Sequence, residues 1–140
     1  MEYQTNGLNH LSKQFHDFQV KMGFTDSNIT QRLMLSASEL FEAFDAFRND
    51  KRIDINSDVD LIDGRTIAED LFRLIGNNDL DNFKRIFESS VKDTFEDELA
   101  DSIIRILAMC GENYIDIGTH VQLKMKFNEL RGFKYGGKKF

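Results

Sequence analysis

The sequence of 140 residues contains no proline, no tryptophan and a single cysteine. Without proline nothing locks φ or removes a backbone donor inside a segment, so helices can run long without a kink. One cysteine excludes an intrachain disulfide framework. Cys110 falls in the aliphatic run "IIRILAMC", where a free thiol packs as a small apolar side chain, and a reducing cytoplasm is the expected compartment. Positive charge is in deficit: 18 Lys and Arg stand against 24 Asp and Glu, a formal charge of -6. That balance argues against a general grip on a nucleic acid polymer, and a small anionic ligand would need a local bridge. Long apolar runs are missing too. Arg105 interrupts the longest one, well short of the ~20 residues of a membrane span, and no stretch resembles a signal peptide, so no membrane association is expected.

What remains is helical periodicity. Gly23, Gly64, Gly76, Gly111 and the pair Gly136 and Gly137 fall between apolar-periodic blocks rather than inside them. The blocks predict helices over about 7–21, 28–48, 65–75, 79–90, 94–110 and 114–131. Leu8, Leu11, Phe15, Phe18 and Met22 give the first an apolar face; Leu33, Ala37, Leu40, Phe41, Phe44 and Phe47 do the same for the second. Asn28 and Gln31 have the spacing of a capping box, and "DTFED" carries the start signal of the fifth helix. No alternating strand pattern, repeat or low-complexity tract competes. The expectation is a single all-α domain over 1–140, a helical bundle with an inserted hairpin inside residues 49–93.

Glu96, Asp97, Glu98 and Asp101 crowd into "FEDELAD" just before the helix turns aliphatic at Ile103, Ile106 and Leu107. Residues three apart lie on one side of a helix, so Glu98 and Asp101 form a carboxylate pair. "ELFE" repeats the device with Glu39 and Glu42, placed by the pattern on the side away from Phe41 and Phe44. Acidic pairs of this spacing are common on solvated faces, and acids near a helix start favour the macrodipole. Two matching pairs can instead meet across a bundle. Four convergent carboxylates disfavour one another's ionisation unless a cation lies among them, and all-oxygen ligation selects Mg²⁺ or Mn²⁺ over zinc.

Near the C-terminus, Lys124, Asn128 and Arg131 recur at i, i+4 and i+7 on one helical face, with Leu123, Phe127 and Leu130 assigned to another. Lys134, Lys138 and Lys139 follow in a glycine-punctuated tail. Such donors suit phosphate oxygens, although basic residues at a helix end also answer the dipole.

With these motifs together, "ELFE", "ELAD" and "KMKFNELRGFKYGGKK", the sequence resembles the MazG-like all-α nucleoside triphosphate pyrophosphohydrolases from about Gln31 to Phe140. It departs from compact members in the 55 residues between Glu42 and Glu98, and in Tyr135 where histidine is often found. The resemblance implies Mg²⁺-dependent cleavage of a nucleoside triphosphate to the monophosphate and pyrophosphate. It implies metal ligation by Glu39, Glu42, Glu98 and Asp101, proton abstraction by Glu42, and substrate contacts from Lys124, Asn128, Arg131 and Lys138. A homodimer or homotetramer is expected. Asp45 and Asp97 are candidates for supporting or replacement ligands, and Asp116 for a helix cap. The His16-Asp17 dipeptide lacks the distant partners of an HD phosphohydrolase, Cys110 lacks a neighbouring histidine, and Phe15, Phe18 and Phe41 read as core. The competing reading is a non-catalytic helical dimerisation module of the same fold.

Overall fold

A computed structural model describes residues 6–25, 27–57, 64–137 and 139. Among them the regular structure is helical: α1 (Asn6–Lys21), α2 (Ile29–Arg48), α3 (Ile67–Gly76), α4 (Leu80–Ser90), α5 (Phe95–Glu112), α6 (Ile117–Leu130) and the short α7 (Lys134–Gly137). The all-α expectation stands, with boundaries within a few residues of those the periodicity predicts. Among the described residues no helix is long and apolar enough to cross a membrane.

Local chemistry explains where the helices begin. Asn28 caps α2 in a reciprocal box, its Oδ1 accepting from Gln31 N at 3.0 Å while Gln31 Oε1 accepts from Asn28 N at 2.9 Å. Thr66 and Glu69 form the same box on α3. Asp79 caps α4 and Asp116 caps α6, and Thr94 Oγ1 accepts from Asp97 N at the start of α5. Several helices stop at a single residue in the left-handed region: Asp50 (φ 56), Asn78 (φ 56), Asp93 (φ 62) and Tyr114 (φ 55).

The chain divides into two compact units, Met1–Leu35 with Ile103–Phe140, and Ser36–Ser102. In the first, Arg32 is buried and spans three elements. Its guanidinium donates to Gln19 Oε1 (2.8 Å) on α1, to the Phe24 carbonyl (3.2 Å) and to Glu112 Oε1 (3.0 Å) on α5. Asn9 ties α1 to α6 by donating to Asp116 Oδ1 (2.7 Å) and accepting from Gly118 N (3.0 Å). Gly111 of α5 lies against the Ser12 backbone of α1, where a Cβ would overlap the Ser12 carbonyl oxygen.

In the second unit α3 and α4 pack as a hairpin, with Leu71, Leu74 and Val91 buried, at the place where an inserted hairpin is expected. The loop after α2 is fastened to the start of α5. Phe95 N donates to the Lys51 carbonyl (2.8 Å), Arg52 Nε pairs with Glu96 Oε1 (2.6 Å), and Ile53 N donates to Glu96 Oε2 (2.9 Å).

The buried face of α2 is not the one hydrophobic periodicity selects. Buried residues recur as Arg32, Ser36, Glu39, Ala43 and Ala46, a helical stripe of small and polar side chains, while Leu33, Leu40, Phe41, Phe44 and Phe47 are exposed. Phe18 is exposed as well. Small side chains let backbones approach closely, which a phenylalanine face of this bulk prevents. The periodicity therefore identifies the apolar stripe correctly but assigns it to the wrong side.

The Gly111 contact generates a stability prediction. Gly111→Ala should lower the unfolding free energy by ~1–3 kcal/mol through overpacking. Gly76→Ala, at a helical position where nothing lies within 4 Å, should leave it unchanged or raise it slightly. Urea midpoints of the two variants check this directly.

Candidate functional site

The acidic stripe of α2 and the first turns of α5 meet inside the second unit. Glu39 is 7% exposed and Glu98 6% exposed, whereas Asp101 is open to solvent. One carboxylate oxygen from each of Glu39, Glu98 and Asp101 lies within 4.8 Å of the others. Ala43, Ala46 and Ser102, all buried, supply the small surfaces beside them, and the Ser102 hydroxyl is turned back onto the Glu98 carbonyl (2.9 Å). The i, i+3 spacing of Glu98 and Asp101 aims both at Glu39, as the sequence pattern predicts.

Burial and like charge act together on Glu98. Its carboxyl is pushed up to about 7, first by loss of solvation and then by repulsion from Glu42, Asp101, Glu39 and Asp97. Glu42 stands beside the converging trio rather than within it. It is exposed, 3.5 Å from the Ser38 hydroxyl, and lines a cleft of about 350 Å³ with Phe41, Asp45, Ala46, Lys51, Asp93 and Glu98. Glu42 and Phe41 thus border one space, although the helical pattern sets them on different sides. Phe41, 74% exposed, is a cleft wall and not core.

The supporting acids are engaged elsewhere. Asp45 pairs with Arg48 at 2.8 Å. The Asp97 carboxylate accepts from Asp93 N at 3.0 Å, holding the turn before α5. Asp116 is a cap: it accepts from Asn9 and Thr119, which lower its pKa.

The basic face of α6 belongs to the first unit. Lys124 and Arg131 both lie over the Phe127 ring, at 5.0 and 5.8 Å from its centroid, and Asn128 is half-buried. Phe127 therefore sits between the two cations and not on a separate apolar face. Lys138 lies outside the described residues. His16, half-buried, lines a cleft with Cys110, so the thiol does have a histidine in its vicinity. The thiol is nonetheless buried and its pKa is raised by desolvation, which suits packing rather than nucleophilic chemistry.

Three carboxylates from two helices, two of them buried, form a hard, all-oxygen donor set whose repulsion a divalent cation would relieve; the donor set fits Mg²⁺ or Mn²⁺. Sequence reasoning missed Lys51 in the cleft, because nothing in the polar loop "NDKRID" distinguishes it from its neighbours. No family model, curated protein or solved structure matches the chain.

The raised Glu98 pKa fixes a sign for stability against pH. An unfolded glutamate loses its proton near 4.5, whereas the folded protein keeps it up to about 7. Between those values the folded state binds more protons, so this contribution is fully present below 4.5 and is lost as pH rises through 7. Asp17, Glu96 and Asp116, all lowered, act only at lower pH. Metal-free protein should lose at most ~3 kcal/mol between pH 5 and pH 8 from this carboxyl. Glu98→Gln should flatten that part of the profile, and denaturant titrations in EDTA at the two pH values measure the difference.

Proposed function

We propose that the chain is a Mg²⁺-dependent nucleoside triphosphate pyrophosphohydrolase of the MazG-like all-α type, hydrolysing an NTP or dNTP to the nucleoside monophosphate and pyrophosphate in control of the nucleotide pool. The observation that carries this reading is the convergence of Glu39, Glu98 and Asp101 within 4.8 Å beside the cleft bordered by Glu42. A scaffold gains nothing from burying two carboxylates against each other. A site for a cation gains its ligands.

Glu39, Glu98 and Asp101 would hold the ion, with Glu42 adjacent. A bound Mg²⁺ supplies neutralisation of phosphate charge and lowers the pKa of a water. Glu42, exposed on the cleft, accepts the proton of the water that attacks the α-phosphorus as pyrophosphate leaves. Catalysis of this class is largely positional and electrostatic, which suits side chains mounted on two capped helices. Lys124, Asn128, Arg131 and Lys138 are the candidates that the sequence resemblance offers for further phosphate contacts.

The exposed apolar side chains of α2, among them Leu40, Phe44 and Phe47, support a homodimer or homotetramer. The same surface is what favours the second reading, a dimerisation module without catalysis.

Pyrophosphate release from a panel of canonical and modified nucleotides, with Mg²⁺ and with EDTA, separates the two. Release that requires Mg²⁺ and falls by orders of magnitude in Glu39→Gln and Glu98→Gln is the expected result. Near-native rates in both variants would sink the metal assignment. Light scattering at micromolar concentration should give twice or four times the chain mass, and Phe44→Glu should shift it toward the monomer.

A further inference from the structure

The loop that leaves α2 is held more firmly than its polar composition suggests. Asp50 takes the left-handed turn (φ 56). Lys51 then donates its N–H to the Ala46 carbonyl (2.9 Å) and accepts from Phe95 N (2.8 Å). Arg52, next in sequence, is fixed on two sides. Its guanidinium lies over the Phe95 and Phe47 rings, 4.7 and 5.6 Å from their centroids, and its Nε pairs with Glu96 at 2.6 Å. The backbone at Lys51 is therefore anchored from before and behind, while among the described residues its ammonium makes no hydrogen bond or ion pair.

That ammonium belongs to a residue lining the carboxylate cleft, and the charges around it are already apportioned. Of the four acids that share the lining, Asp45 is paired with Arg48 (2.8 Å) and Asp93 with Lys92 (3.4 Å). Glu42 and Glu98 remain. Lys51 is the one cation lining this cleft among the described residues, and it is paired with none of the four. A cation on a clamped loop, unpaired among the described residues and lining the same cleft as Glu98 of the candidate metal centre, is arranged for a ligand that carries negative charge.

We infer that Lys51 binds the pyrophosphate portion of a metal-bound polyphosphate in the cleft bounded by Ser38, Phe41, Glu42 and Glu98. The inference rests on the reading of Glu39, Glu98 and Asp101 as a metal centre. In this arrangement Glu39, Glu98 and Asp101 would hold the ion that neutralises part of the ligand's charge, and the Lys51 ammonium would donate to oxygens of the same polyphosphate. The contact is a charge-assisted hydrogen bond, present in substrate and product alike.

Calorimetric titration with inorganic pyrophosphate in saturating Mg²⁺, alongside titration with Mg²⁺ alone, tests it without relying on turnover. Lys51→Met should weaken pyrophosphate binding ~10- to 100-fold, Lys51→Arg should restore part of it, and Mg²⁺ affinity should be unchanged or slightly tighter. In kinetics the same variant should raise KM for a triphosphate with kcat largely kept. Lys92→Met, which removes an equal charge from the Asp93 pair, should leave pyrophosphate affinity near the wild-type value. Unchanged pyrophosphate affinity in Lys51→Met, with Mg²⁺ binding intact, overturns the role of Lys51 and leaves the metal centre standing. An equal loss in Lys92→Met also overturns it, since the effect would then be one of general charge. A wild-type protein that binds no Mg²⁺ overturns the metal reading, and the inference with it.

Discussion

The packing of Glu39 against Glu98 is the constraint on which the second unit turns. Two carboxylates taken out of water beside each other oppose folding twice, through lost solvation and through repulsion. The protein answers partly by protonation, holding the Glu98 carboxyl up to about 7. The buried positions that follow the acids on the two helices are small, Ala43 and Ala46 after Glu39 on α2 and Ser102 after Glu98 on α5. Large apolar side chains would stabilise this region more but would push the oxygens apart. The donor set exists because the usual core was not built there.

Such a contact needs its register fixed from outside, and the start of α5 supplies this. Thr94 sets the first turn, Asp97 ties back to the preceding backbone, and Glu96 receives both the Arg52 guanidinium and the Ile53 N–H. In the first unit a similar device appears at the far end of the same helix, where Glu112 receives Arg32. Both arginines come from α2 or the loop that follows it. A guanidinium offers several donors in a fixed plane, so each pair restricts the angle of approach as well as the distance.

How much of this was legible in the sequence depends on the range of the cause. Caps were readable because they are closed by residues three apart: Asn28 with Gln31 and the signal at Thr94 need no tertiary knowledge. The pairing of Glu98 with Asp101 was readable for the same reason. The orientation of α2 was not, since a stripe of leucine and phenylalanine has the same period whether it faces a core or the outside. Periodicity alone places Phe41 and Phe44 inward, whereas in the structure Arg32, Ser36 and Glu39 are the buried residues. Lys51 was invisible because its position is set by the Phe95 amide and the Glu96 carboxylate, both more than forty residues away in sequence. Glu42 lay between these cases: its residue type and spacing were legible, while its place beside the trio, outside the closest group of oxygens, follows only from how the helices pack.

The two faces of α2 are therefore not independent. Phe41 and Phe44 are three residues apart and share one side of the helix, and Phe41 also walls the cleft that holds Glu42 and Glu98. Glu39, two residues before Phe41, is turned inward by the same rotation that turns Phe44 out. Any rotation of α2 that buried its phenylalanines within the chain would carry Glu39 away from Glu98 and dissolve the carboxylate cluster. The exposed aromatic stripe is thus the geometric counterpart of the buried acids, and at Phe41 that stripe borders the cleft itself.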